Sequence, residues 1–115
     1  MKVYTKVGDY GKTAFFGCGM VGKEDPRIEA LGSLDELNSA IGVALCFVQG
    51  EKLQASLQKI QNDLFQVGAD LAGSALSPDA LPRVQTEHIV ELEHAIDEIQ
   101  EKVGEQKQFI LPGGT

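Results

Sequence analysis

Asp25-Pro26-Arg27-Ile28-Glu29-Ala30-Leu31-Gly32-Ser33-Leu34-Asp35-Glu36-Leu37-Asn38-Ser39-Ala40-Ile41-Gly42-Val43-Ala44-Leu45-Cys46-Phe47-Val48-Gln49-Gly50 reads as one long helix. Asp25 offers a capping acceptor, worth about 1 kcal/mol, and Pro26 stands at the first helical position, where its missing N–H costs nothing. Leu31, Leu34, Leu37, Ile41, Leu45 and Val48 step by three or four and form one apolar stripe, so the helix is predicted to run to about Gln49 and stop at Gly50. At roughly 100° per residue, Asp35, Asn38, Gly42 and Cys46 fall along one margin of that stripe. A carboxylate there has two readings. Asp35 either fixes a cation at a working site, or it is a structural ion pair or solvated acid; left charged, buried and unpaired it would be costly.

Downstream the same periodicity returns twice. Glu51 to Ala72 carries Leu53, Leu57, Ile60, Leu64, Val67 and Leu71 at alternating spacings of four and three, the repeat of a left-handed bundle seam, with Phe65 and Gly68 on a second face. Gly73 to Pro82 is a loop. Thr86 is a candidate cap for a third helix to about Val103, with Ile89, Leu92, Ile96, Ile99 and Val103 inward and Gly104 as its stop. His88 and His94, six apart, do not share a helical face and read as surface residues, so no metal site is expected. Gln108-Phe109-Ile110-Leu111-Pro112-Gly113-Gly114-Thr115 reads as a buried apolar turn leading toward another helix, which is expected to be missing from this chain.

Upstream the pattern is different. Residues 1–24, interrupted by Gly8, Gly11, Gly17, Gly19 and Gly22, read as an irregular arm with room for a short hairpin. Thr5-Lys6-Val7-Gly8-Asp9-Tyr10-Gly11-Lys12-Thr13 packs glycines, lysines and threonines together, a combination suited to a nucleotide polyphosphate. A glycine-rich surface turn with solvated lysines is the other reading. It is not a Walker loop: Lys6 stands where the first glycine is required, and no core strand precedes it. Gly17, Gly19 and Gly22 mimic a dinucleotide fingerprint without a surrounding βαβ unit.

At 115 residues the chain is of single-domain size (arm 1–24, bundle 25–115), long enough to bury about two-thirds of its unfolded surface. A net charge of −7 argues against bulk attraction to nucleic acid or an anionic membrane, so a polyanion needs local lysines: Lys6, Lys12 and Lys23. Cys18 and Cys46 form no disulfide framework, which suggests a reducing, cytoplasmic setting; no run is apolar enough to span a bilayer.

Five blocks in order carry a family resemblance: the arm Thr5 to Thr13; Lys23-x-Asp25-Pro26-Arg27; Gly32-x-x-Asp35-Glu36-Leu37-Asn38-Ser39; Ile60-Gln61 through Gly68-Ala69-Asp70-Leu71; and Phe109 to Thr115. Together they resemble the PduO-type ATP:cob(I)alamin adenosyltransferases. The resemblance implies an all-α, five-helix bundle, about three long helices of which lie in this chain, assembled as a homotrimer. It implies transfer of the 5′-deoxyadenosyl group of ATP to cob(I)alamin, with magnesium on the phosphates and a corrinoid reductase as a partner. Thr5, Lys6, Val7, Gly8, Thr13, Ala14 and Lys23 would then touch ATP. Asp35 would pair with an arginine of a later helix on the corrinoid side, and Phe109 would press beneath the corrin and disfavour its lower axial ligand. The family continues past the Pro-Gly-Gly-Thr turn into helices that complete the nucleotide site. Without them Asp35 is expected to stand unpaired and the chain to be at best weakly active; a non-catalytic ATP- or corrinoid-binding assembly module is the alternative.

Overall fold

A computed structural model describes residues 2–15, 18–73 and 83–113. Its elements are β1 (Lys12–Phe15), β2 (Gly19–Gly22), α1 (Pro26–Leu45), α2 (Glu51–Ala72) and α3 (Thr86–Val103), the all-α class expected, with a small hairpin in the arm. The chain divides into two compact units, Met1–Val84 and Gln85–Thr115.

In the first unit β1 and β2 pair antiparallel, with Lys12 opposite Gly22 and Phe15 opposite Gly19. The Lys23 N–H extends the ladder to Gly11 O at 3.0 Å. Phe15 is the one buried apolar side chain among the described residues, 5% exposed. Asp25 caps α1, accepting from the Arg27 N–H at 2.9 Å, and Pro26 opens the helix as its position in the sequence predicts.

The helix ends at Leu45, four residues short of the expected Gln49. Cys46 and Phe47 donate three residues back, to Val43 O and Ala44 O, tightening the last turn. The Gln54 side chain then holds Val48 O at 2.9 Å, and Gly50, at φ +102°, turns the chain into α2. A left-handed residue at that point favours glycine.

The α1 and α2 pair meets along a seam that differs from the leucine count. Leu31, Leu34, Asn38, Ile41 and Leu45 are half-buried, whereas Leu37 points outward. Asn38 takes the seam position because it bonds across it: its Nδ2 donates to Gln61 O at 3.2 Å, and Gln61 Nε2 donates to Asn38 O at 3.1 Å. Gly42 lies beside this crossing; a Cβ there would stand 3.4 Å from Gln61 Nε2. On α2 the expected stripe is half-buried except Leu53, and Phe65 is exposed. Beyond α2, Asp70 receives the Val84 N–H at 3.0 Å and the Arg83 guanidinium, while Gln66 Nε2 donates to Arg83 O at 2.9 Å. These bonds tie residues 83–84 to α2. The loop expected at Gly73 to Pro82 lies outside the described residues after Gly73.

In the second unit α3 has the expected bounds, but Gln85, not Thr86, is its N-cap. His88 completes the cap: its Nδ1 lies 2.9 Å from the Gln85 N–H, so this half-buried ring is more than a surface residue. Gly104, at φ +80°, closes the helix. The segment after it departs from expectation. Phe109, Ile110 and Leu111 are 102%, 70% and 90% exposed, not buried.

Candidate functional site: a lysine-bearing arm and an open helical groove

The arm is built by short-range contacts. Thr5 Oγ1 accepts from the Val7 N–H at 3.4 Å, and the Asp9 N–H reaches Lys6 O at 3.3 Å, so residues 5–9 form a turn. Lys6 occupies φ +64°, a region that costs a non-glycine residue about 1–2 kcal/mol. Such strain is found where surrounding structure holds a residue for a purpose. Lys6 Nζ lies 5.9 Å from the Tyr4 ring centroid.

Lys23, just past β2, reaches back over this turn. A Cβ at Gly8 would lie 3.3 Å from Lys12 O and from Lys23 Cε and Nζ, so any side chain there crowds the Lys12 carbonyl and the end of Lys23. Thr13 and Ala14 sit in β1 next to the same turn. The structure therefore brings the Lys23 ammonium against Gly8, with β1 adjacent. Thr5 and Val7 belong to the same turn. An anion placed beside Gly8 would meet the Lys23 ammonium.

Lys6→Gly isolates the backbone from the charge. Glycine accepts φ +64° without penalty, so this variant should fold at least as well as wild type yet bind a polyphosphate more weakly. Thermal melts and calorimetric titration with ATP check both halves; weakened folding would contradict the strain assigned to Lys6.

Asp35 lies on α1 at the rim of a groove of about 280 Å³, lined with Leu31, Leu34 and Asn38 from α1 and Leu64, Phe65 and Gly68 from α2. The side chain is exposed, and no described cation lies within ion-pair distance. The groove is open on one side, which leaves the carboxylate hydrated instead of buried beside the stripe. No hydrogen bond among the described residues joins Asp35 to the arm. Phe109, in the other unit, lies in the irregular segment after α3.

Two electrostatic features escaped the sequence reading. The Arg27 side chain is the first reason that Asp25 is pushed down from the ordinary 3.8 to about 2, followed by the Arg27 backbone N–H. Asp70 is likewise held below the usual carboxylate range, first by the Val84 N–H and then by Arg83. A depressed carboxylate contributes stability above its unfolded pKa and loses it as pH falls through the folded one. The Asp25 contribution is therefore complete above about pH 4 and disappears as the pH falls toward about 2. In acid melts Asp25→Asn, which retains the cap, should flatten the fall in melting temperature across that window. A curve parallel to wild type would refute the assignment. Because both groups are partly exposed, high salt should shrink the difference.

The cobalamin adenosyltransferase family model matches residues 3–115. The chain belongs to that family. A corrinoid adenosyltransferase of Bacillus subtilis is 43% identical over 119 residues, covering 100% of this chain and 60% of the relative. The corrinoid adenosyltransferase PduO of Salmonella typhimurium is 40% identical over 114 residues, 98% of this chain and 34% of the relative. A variant PduO-type ATP:corrinoid adenosyltransferase from Lactobacillus reuteri, complexed with cobalamin and ATP, superposes with a TM-score of 0.87 at 39% identity, covering 99% of this chain and 65% of that one. A second variant, complexed with ATP, gives 0.82 at 40% identity, covering 98% and 64%. The chain thus spans less than two-thirds of each of these relatives, and its helical fold is theirs.

Proposed function

We propose that this chain supplies the nucleotide arm and part of the corrinoid side of an ATP:cob(I)alamin adenosyltransferase. The observation that carries the reading is the Lys23 side chain set against Gly8, found in a chain whose fold agrees with a relative complexed with cobalamin and ATP. In this reaction the cobalt electron pair attacks C5′ of ATP, the C5′–O bond breaks, and triphosphate leaves with the bonding electrons. Cobalt is itself the nucleophile, so the protein's work is alignment of the two substrates and stabilisation of the departing charge.

Thr5, Thr13 and the N–H groups around Val7, Gly8 and Ala14 hold phosphate oxygens, while Lys6 and Lys23 offset negative charge. Magnesium fits an arm of this kind, since it is bound chiefly by phosphate oxygens and water. Asp35 faces the corrinoid from the groove rim. Phe109, with its ring free, is available to lie beneath the corrin and exclude a lower axial ligand.

The chain acts as one domain in a homotrimer, a reading supported by the outward apolar residues Val43 and Phe47, 63% and 80% exposed. A corrinoid reductase would deliver the reduced cobalt. The free, exposed Cys18 and Cys46 suit a reducing cytoplasm. No helix of the described residues is long and apolar enough to cross a membrane. Asp35, which pairs with no cation among the described residues, favours a second reading, in which this chain binds ATP or corrinoid without turnover.

The test is spectroscopic formation of the cobalt–carbon bond from ATP and chemically reduced cobalamin. Turnover that falls in Lys23→Ala supports the enzyme. ATP binding without bond formation supports the second reading, and absence of both removes the two together.

A further inference from the structure

Arg27 uses every side of its guanidinium. Nε donates to Asp25 Oδ1 at 3.0 Å and Nη2 to Asp25 Oδ2 at 2.9 Å. Nη1 donates to Cys18 Sγ at 3.3 Å, and Cζ lies 4.6 Å from the Phe15 ring centroid. Phe15 ends β1, Cys18 precedes β2, and Asp25 caps α1, so a single side chain in the first turn of the helix grips both ends of the hairpin loop. The rest of the circuit is backbone. Asp25 N–H donates to Gly22 O at 3.1 Å, and Lys23 N–H to Gly11 O at 3.0 Å.

We propose that Arg27 is a positioning residue for the nucleotide: it pegs the hairpin to the start of α1 and thereby holds the Lys23 ammonium over Gly8. This rests on the arm being the ATP site. An exposed ion pair alone would do little. Here a planar fork is satisfied by a bidentate carboxylate on its edge and a buried ring on its face, a combination that lysine cannot reproduce. Among the described residues, the side-chain hydrogen bond and the ring contact between the hairpin and the first turn of α1 run through this group.

The test compares wild type, Arg27→Ala, Arg27→Lys, Lys23→Ala and the double variant Lys23→Ala/Arg27→Ala. Two quantities are read: ATP affinity by calorimetry, and hydrogen exchange of the Lys23 amide without ligand. Arg27→Ala should speed Lys23 exchange while amides in the middle of α1 and α2 stay protected, and should weaken ATP binding by about 10-fold or more. Arg27→Lys should not restore affinity. Because Arg27 acts through Lys23, the double variant should bind no more weakly than Lys23→Ala, within about 2-fold.

Unchanged Lys23 exchange in Arg27→Ala would overturn the peg whatever happens to ATP. Faster exchange with unchanged affinity would overturn the nucleotide role and, if Lys23→Ala also binds normally, the assignment of the arm as the ATP site. Additive losses in the double variant would likewise overturn it. If Arg27→Ala fails to fold, Asp25→Asn, which keeps the helix cap and weakens the fork, replaces it in the same two measurements with the same outcomes.

Discussion

Gly8→Val is expected to lower ATP affinity by about 100-fold while leaving the helical signal intact. Even the first carbon of a side chain at this position would stand 3.3 Å from Lys12 O and from the end of Lys23. The lysine could swing away, but the carbonyl belongs to β1 and yields less, so a branched side chain crowds a backbone wall. Either the turn of residues 5–9 lifts off the hairpin or Lys23 is displaced from it, and in both cases the anion loses its ammonium partner. Gly8→Ala should fall between the two, because only the first contact arises. Calorimetry with ATP and far-ultraviolet dichroism on the same samples separate lost binding from lost folding. Wild-type affinity in Gly8→Val would mean that phosphate does not bind beside Gly8 and Lys23.

Asn38→Leu is expected to cost about 2–3 kcal/mol of stability, despite exchanging a polar residue for one that suits a helix seam. The reason is the reciprocal bonding with Gln61. Removing Nδ2 strips a donor from Gln61 O, and the branched side chain enters the crossing where Gly42 and Gln61 already lie close. Restoring a small residue with Asn38→Ala should recover part of the loss by relieving the crowding. Denaturant titration checks the order wild type, Asn38→Ala, Asn38→Leu. Were Asn38→Leu more stable than wild type, the crossing would be an apolar seam after all, and the amide pair incidental.

How much of this was readable in advance follows from the range of each interaction. The bounds of α2 and α3 were plain because an unbroken apolar period ends in a glycine at both places, Gly73 and Gly104. The start of α1 was plain for a similar reason, since Asp25 and Pro26 act within one turn. Its end was not: the residues from Cys46 to Gln49 continue the apolar composition of the helix, and only the Gln54 side chain, six residues beyond Val48, shows where the turn begins. Counting leucines placed Leu37 inward, but Asn38 won the position through a partner 23 residues away, a contact that no periodicity encodes.

The site divides in the same way. Gly8, Thr13 and Lys23 could be chosen from composition and resemblance, and the hairpin does bring Lys23 back to Gly8. Arg27 belongs to the stretch Lys23-x-Asp25-Pro26-Arg27, yet its grip on Phe15 and Cys18 depends on how β1 and β2 return to the helix. Asp35 was expected beside buried leucines; it stands exposed because the groove between α1 and α2 is open where it sits. The apolar run at Phe109 to Leu111 was expected to be buried on hydrophobicity alone, which marks a surface that wants cover but does not supply it.

On the proposed function, the arm grips the triphosphate of ATP through Gly8 and Lys23. A crystal structure determined with ATP tests it most directly. Phosphate oxygens within about 3 Å of the Gly8 N–H and Lys23 Nζ are the expected result. Nucleotide bound elsewhere, with Lys23 still folded over an empty Gly8 turn, would contradict it.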